Sequence, residues 1–183
     1  MKVLITAATR HGSTFEIASG IEDVLHNAGI ETVLTVPERV TDLTGYDAVI
    51  LGSAVYAGHW LKPAKQFVSR NLPALLTRPV WLFSSGPTGD PATPAEEPAD
   101  AARVREATGA REHRLFSGRL ERRDLGLAEK AIVAVIRAPV GDFRSWTQIE
   151  AWAMMIARTL QAEQAAATAN VAEAAKRPMV ATR

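Results

Sequence analysis

Short runs of apolar residues alternate along the chain with longer segments in which apolar residues recur at helical spacing. The first run, Lys2 to Thr6, is β-branched and aliphatic, which is typical of a strand buried on both faces. From Thr14 to Ala28 the apolar positions recur every three or four residues, and Gly29 follows where a glycine at a helix C-terminus is expected. The chain therefore begins with a buried strand and an amphipathic helix.

The same alternation predicts the rest of the fold. Further strands are predicted at Ile30 to Val36 (at the sheet edge), Ala48 to Ser53, Pro79 to Ser85 and from His113 to Phe116. Helices are predicted at Lys62 to Leu76, from about Pro98 to Ala110 and from Ser145 to about Gln161, with a turn or short helix at Asp42 to Tyr46. Strands alternating with helices predict a doubly wound α/β fold, in which a parallel five-stranded sheet carries helices on both faces.

The chain has 183 residues, of which 47% are hydrophobic, so it can form one domain with a sizeable core. We predict that this domain covers residues 1–162. The segment 163–183 is Ala-rich and weakly patterned, so we expect it to be a flexible C-terminal tail.

Composition excludes several kinds of chemistry. There is no cysteine, hence no disulfide, thiolate metal site or cysteine nucleophile, which is compatible with a reducing cytoplasm. The apolar stretch at the N-terminus is too short for a signal peptide, and no run of eighteen apolar residues follows, so we expect a cytoplasmic protein. The net charge of +1 gives no reason to expect nucleic acid as a partner.

Charge is unevenly distributed, however. Between Arg111 and Arg144 there are eight Lys or Arg residues against five acidic ones. A solvated surface segment explains this excess, and so does a basic patch that faces an anionic substrate or a lipid surface.

In a doubly wound sheet, ligands bind at the carboxyl ends of the strands where the winding direction reverses. The loop after the first predicted strand carries hydroxyls at Thr9, Ser13 and Thr14 around Gly12, at the start of a helix. Free backbone N–H groups and the helix dipole attract a phosphate there, although an ordinary Ser/Thr helix cap has the same composition. Neither G-x-G-x-x-G nor a G-K-[ST] ending is present.

Two more loops follow predicted strands. In residues 52–60, Tyr56 and Trp60 could hold a flat heterocycle by their aromatic faces, or could pack under the next helix. His59 in the same loop is the weak candidate for a catalytic group. In residues 84–90, glycines and hydroxyls allow close backbone approach and hydrogen bonds, or form a plain turn. One ligand with a phosphate at one end and a ring at the other could contact all three loops.

These loops resemble those of a known family. The pattern Thr9-x-x-Gly12-x-Thr14 resembles the phosphate loop of flavodoxins, and residues 52–60 and 84–90 resemble their two ring-holding loops. The resemblance implies a flavodoxin-like fold with FMN as cofactor. The residues it assigns to FMN are Thr9, Arg10, His11, Gly12, Ser13, Thr14, Ala54, Val55, Tyr56, Ala57, Gly58, Trp60, Ser85, Gly86, Pro87, Thr88, Gly89 and Asp90.

Residues 116–120 and 141–146 look like those of the flavodoxin-type menaquinone-dependent protoporphyrinogen IX dehydrogenases. That resemblance implies an insertion near the fifth strand, at about residues 117–144, and an FMN-dependent enzyme that passes electrons from a porphyrinogen to a quinone. A flavodoxin-type electron carrier and an NAD(P)H:quinone reductase are the alternatives. Carrier flavodoxins are strongly acidic, so the near-neutral charge of this chain disfavours the carrier.

The insertion has a predicted role of its own. Arg119, Arg122 and Arg123 could meet lipid phosphates or the propionates of a porphyrinogen through charge-assisted hydrogen bonds. In Leu125 to Arg137 the charges fall on one helical side and the rest is apolar, which fits an interfacial helix beside a lipid-soluble quinone or a buried core helix. The insertion is therefore a candidate for contact with the substrate or with the inner face of the membrane, and a purely structural role is the alternative.

Overall fold

The structure is a computed structural model, and it describes residues 1–86, 97–121, 126 and 140–176. The strands are β1 Lys2–Ala8, β2 Glu31–Thr35, β3 Ala48–Tyr56, β4 His59–Trp60, β5 Val80–Ser85, β6 Glu112–Phe116, β7 Arg119–Leu120 and β8 Gly141–Asp142. The helices are α1 Ser13–Asn27, α2 Lys62–Leu75, α3 Ala99–Thr108 and α4 Trp146–Lys176, with a 3-10 turn at Pro37–Arg39.

Five strands form one parallel sheet in the order β2-β1-β3-β5-β6. The chain passes from β1 outward to β2 and then reverses to β3 on the other side of β1, which is the doubly wound arrangement. The predicted five-stranded parallel sheet with helices on its faces is therefore confirmed. The two-residue strand β4 pairs antiparallel with the end of β3.

The core consists of two apolar layers, one on each face of the sheet. On one face, Val3, Ile5 and Ala7 of β1 pack with residues of α1 and α4. On the other face, Leu4 and Ala8 pack with residues of α2 and α3. Alternate residues of β1 thus enter opposite layers, which explains why its sequence is continuously apolar rather than alternating with polar positions.

Two elements extend beyond their predicted ends. β3 continues past Ser53 to Tyr56, because its last residues pair with β4 in a hairpin. α4 continues past Gln161 to Lys176, so the predicted flexible tail is helical over residues 163–176. The side chains from 161 to 172 are exposed, and alanine, which has the highest helix propensity, recurs along this stretch.

Two short strands follow β6 in the described part of the chain. There β7 pairs antiparallel with β8, with Arg119 opposite Asp142 and Leu120 opposite Gly141. This pair closes the base of the segment predicted as an insertion. The helix predicted over Leu125 to Arg137 lies outside the described residues, apart from Gly126.

Within residues 1–86, 97–121 and 140–176, no helix has a stretch long and apolar enough to cross a bilayer.

Gly52 of β3 provides a test of the packing between neighbouring strands. A Cβ atom at Gly52 would lie 2.1 Å from Cζ of Phe83, its register partner on β5. We predict that Gly52→Ala lowers the free energy of unfolding by about 1–3 kcal/mol, because overpacking forces a fully buried ring to move. Urea unfolding measures this loss, and Phe83→Leu in the same chain should recover part of it. Strictly additive effects of the two changes would contradict the proposed clash.

Candidate functional site

The loops after β1, β3 and β5 begin side by side at the carboxyl edge of the sheet. Ala8 is the register partner of Ser53, and Ala54 is the register partner of Ser85. The strand order therefore brings together the starts of the three candidate loops, at the point where the winding reverses.

The loop after β1 is shaped as an anion-binding helix start. Gly12 is the N-cap of α1 with a left-handed φ of 85°, and its N–H donates to Thr9 Oγ1 at 3.0 Å. The next residues, Ser13 and Thr14, are buried. The first N–H groups of a helix have no acceptor within the helix, and the positive end of the helix dipole lies there, so this loop favours a negatively charged ligand.

The hydroxyls of this loop still have hydrogens to donate. Thr9 Oγ1 accepts from Gly12, and Ser13 Oγ accepts from the backbone N–H of Arg119 at 3.0 Å. A hydroxyl oxygen that accepts a hydrogen bond can still donate its own hydrogen. The loop thus combines hydroxyl and backbone donors, which is the donor set that a terminal phosphate requires.

The hairpin between β3 and β4 brings an aromatic ring to the loop after β1. Tyr56 is 36% exposed, and its ring centre lies 5.3 Å from the guanidinium carbon of Arg10 and 6.4 Å from the His11 ring centre. Ala57 and Gly58 form the turn with φ of 48° and 79°. Among the described residues Ala57 is the one non-glycine with positive φ, and such strain is typical of functional sites.

Trp60 does not fit its predicted role beside a ring. It is 2% exposed and belongs to the apolar layer beneath α2 and α3. Its indole N–H donates to Ser84 Oγ at 2.8 Å. Because β4 runs back along β3, the chain returns to the core two residues after the turn. Trp60 therefore packs under the next helix, which is the alternative to contact with a ligand ring.

The His59 side chain lies within hydrogen-bond distance of an acidic residue on α3. Its Nδ1 lies 3.2 Å from Oδ2 of Asp100, an oxygen that also accepts from the Trp60 backbone N–H and from Lys65 Nζ. Burial tends to raise the pKa of Asp100, but the hydrogen bonds from Lys65 and Trp60 outweigh it and lower the pKa. The Asp100 carboxylate thus joins the hairpin to α3. The catalytic role of His59 stays a prediction.

At the loop after β5, three backbone segments approach one another closely. Ser85 is buried, and the N–H of Gly86 donates to the carbonyl of Phe116 at 3.0 Å. A Cβ on Gly86 would lie 3.6 Å from the Val55 carbonyl, and one on Gly118 would lie 3.4 Å from Ser85 Oγ. Gly118 is a neighbour of the site that is not among the predicted cofactor residues. The predicted residues Pro87, Thr88, Gly89 and Asp90 lie outside the described residues.

An ion-pair cluster fixes the base of the insertion to the first turn of α1. Glu16 accepts from Arg119 at 2.8 Å and from Arg144 at 2.6 Å, and Arg144 also donates to Asp142 at 2.7 Å. The Arg144 side chain is almost fully buried, and its guanidinium lies 4.8 Å from the ring centre of Trp146. Hydrogen bonds from Arg144 lower the pKa of Asp142.

This cluster corrects the prediction made for the Arg119 side chain. The sequence predicts that its guanidinium faces lipid or an anionic substrate, but the side chain is 19% exposed and pairs with both Glu16 and Glu121. Arg122 and Arg123, which share that prediction, lie outside the described residues. The sequence signal for the cluster is the likeness of residues 116–120 and 141–146 to family motifs, because contacts across more than a hundred residues leave no local pattern.

Comparisons with known proteins agree with this architecture. A family model described as "Flavodoxin domain" matches residues 4–145. The chain is 31% identical over 86 residues to a protein of Escherichia coli strain K12 named "Protoporphyrinogen IX dehydrogenase [quinone]". The match covers 46% of this chain and 48% of that protein, so the chain spans about half the length of the curated relatives it matches.

Solved structures show the same fold at low sequence identity. A flavodoxin from the domain Archaea superposes with a TM-score of 0.59 at 16% identity, over 88% of this chain and 99% of that one. The rubredoxin oxygen:oxidoreductase of Desulfovibrio gigas superposes with a TM-score of 0.62 at 15% identity, over 90% of this chain and 37% of that one.

The ion-pair cluster gives a pH-dependent prediction. Replacing Arg144 with Met should lower the free energy of unfolding at neutral pH by about 1–3 kcal/mol, because two carboxylates lose their shared partner. Asp142 has a lowered pKa in the folded protein, so its contribution is present above the unfolded pKa and is lost as pH falls through the folded pKa. The difference between the two proteins should therefore shrink below about pH 4.

Thermal or urea unfolding across this pH range measures the effect, and Arg158→Met, on the exposed face of α4, is the matched control. A loss of the same size at all pH values would show that Arg144 stabilises the fold by packing alone.

Proposed function

The chain belongs to the flavodoxin domain family, and from this premise we propose that it is an FMN-dependent oxidoreductase that passes electrons from a reduced small-molecule donor to a quinone. The observation that carries the proposal is the meeting of three loops at the reversal of winding. One of them is a hydroxyl-rich helix start, and another presents an exposed tyrosine.

The residues present suit both ends of FMN. Thr9, Ser13 and the N–H groups that open α1 would hold the phosphate, since they combine hydroxyl donors with the positive end of a helix dipole. Tyr56 would lie against the ring, and the close approach at Gly86 and Gly118 leaves backbone rather than side chains at the edge of the site. Trp60 is not among these residues.

Bound FMN would supply the redox chemistry, while the protein would contribute binding, orientation and exclusion of water. The Tyr56 ring lies close to Arg10 and His11, so the hairpin after β3 and the loop after β1 meet at this side chain. A tyrosine fixed in this way can cover a flat ligand and shield one face of it from water.

Two observations favour an enzyme with a small-molecule donor over a protein-docking carrier. The curated relative in Escherichia coli is named as a quinone-linked protoporphyrinogen IX dehydrogenase, and its match covers 46% of this chain. The chain also has a net charge of +1, without the acidic excess that would steer it to a basic redox partner. We propose a porphyrinogen or a similar reduced compound as donor. Contact with a membrane through Arg122 and Arg123 stays a proposal.

The phosphate loop can be tested without knowledge of the substrate. We predict that Thr9→Ala combined with Thr14→Ala weakens FMN binding by at least about tenfold and riboflavin binding much less, because a charge-assisted hydrogen bond contributes roughly 1.5–3 kcal/mol. Fluorescence titration of the flavin-free protein measures both dissociation constants. The matched control is Thr159→Ala combined with Thr168→Ala on α4. Equal losses for FMN and riboflavin would show that this loop does not hold a phosphate.

The electron donor is tested by anaerobic reduction of the FMN-loaded protein. Protoporphyrinogen, NADPH and a reduced ferredoxin system are offered separately, and bleaching of the flavin absorbance is followed with and without a quinone. We expect the porphyrinogen to reduce the flavin fastest and the quinone to reoxidise it. Fast reduction by ferredoxin alone would identify a carrier, and fast reduction by NADPH would identify an NAD(P)H:quinone reductase.

A further inference from the structure

A network of hydrogen bonds centred on a buried histidine lies next to the ends of β4 and β5. His113 of β6 has its Nε2 2.8 Å from Ser84 Oγ, and its Nδ1 lies 3.0 Å from an oxygen of Glu97. The imidazole is 4% exposed and Ser84 is fully buried. Ser84 Oγ also accepts from the indole N–H of Trp60 at 2.8 Å.

The chemistry of the partners sets the direction of every bond in this network. The Glu97 carboxylate only accepts, so the hydrogen of a neutral imidazole lies on Nδ1 and donates to Glu97. Nε2 is then an acceptor, and the Ser84 hydroxyl donates to it. Trp60 Nε1–H only donates, so Ser84 Oγ accepts from it. The Ser84 hydroxyl hydrogen has the Nε2 acceptor only while His113 is neutral.

This hydrogen-bond network connects the bases of the two loops that would hold a flavin ring. Trp60 ends the hairpin that carries Tyr56, and Ser84 immediately precedes Ser85 and Gly86. His113 thus holds, through Ser84, a residue at the base of each loop.

The surroundings of His113 favour its neutral form. Burial lowers its pKa, and Arg105 of α3 lowers it as well, whereas Glu97 and Glu112 raise it without reversing the shift. The imidazole is therefore neutral at neutral pH. When the ring gains a proton, Nε2–H also donates to Ser84 Oγ, and the buried Ser84 hydroxyl loses its acceptor.

We propose that His113 is a positioning residue of the flavin site: its neutral imidazole fixes Ser84 and Trp60, and protonation of the ring loosens the end of β5 at Ser84 to Gly86 and the hairpin that carries Tyr56, and so weakens flavin binding. This inference rests on the proposed function, because it concerns the site that would hold FMN. It assigns a role to a buried histidine that none of the three loops contains.

Riboflavin is the suitable probe, because the phosphate of FMN itself titrates near pH 6 and would obscure the effect. Dissociation constants are measured by fluorescence quenching between about pH 5 and 8, with the visible circular dichroism of the bound flavin as a second readout. The proteins compared are the wild type, His113→Gln, Ser84→Ala and, as matched control, His26→Gln in the exposed last turn of α1.

We expect riboflavin affinity of the wild type and of His26→Gln to fall by about tenfold as His113 gains its proton, the effect of one buried hydrogen bond lost. His113→Gln, whose amide can accept from Ser84 and donate to Glu97 without titrating, should bind nearly as well at neutral pH and show no fall. Ser84→Ala should bind about as weakly at neutral pH as the wild type does at low pH, with an altered flavin dichroism.

An identical pH profile and dichroism for the wild type, His113→Gln and Ser84→Ala would overturn the positioning role. Wild-type protein that binds neither riboflavin nor FMN at any pH would instead overturn the proposed function. If His113→Gln does not fold, Ser84→Ala decides alone, since it leaves the imidazole and its bond to Glu97 in place.

Discussion

The position of β1 is the constraint on which the rest of the molecule depends. It is paired on both edges, by β2 and β3, and buried on both faces, so it cannot shift without breaking two ladders and two apolar layers. Its carboxyl end is therefore a rigid starting point for the loop that opens α1. The registers of β3 on β1 and of β5 on β3 then fix where the loops after β3 and β5 begin.

Much of this architecture could be predicted from the sequence because it depends on local patterns. The continuously apolar strands, the amphipathic helices and Gly29 after α1 are set by neighbours within a few residues, and the structure confirms the sheet they predict. The three candidate loops follow from the same reasoning, because every parallel strand delivers its loop to the same edge.

The failures concern long-range contacts or side-chain direction. Trp60 and Tyr56 have similar chemistry and lie four residues apart, yet one is buried and the other exposed, because a two-residue turn reverses the chain between them. The sequence counts Arg119 and Arg144 as surface charge, but both pair with Glu16, which lies far away in sequence. The sequence does not predict the helix after Gln161, because an alanine-rich stretch has no amphipathic pattern.

The bond from the Arg119 backbone to Ser13 Oγ joins residues separated by 106 positions, and the pair of Glu16 with Arg144 joins residues separated by 128. Contacts of such high sequence separation form late, because a long loop must close before they can stabilise anything. A nascent chain that ends just before residue 144 lacks the ion pair between Glu16 and Arg144, although it already contains Ser13 and its partner Arg119. The first turn of α1 consequently gains its contact with Arg144 only after nearly the whole domain has been synthesised.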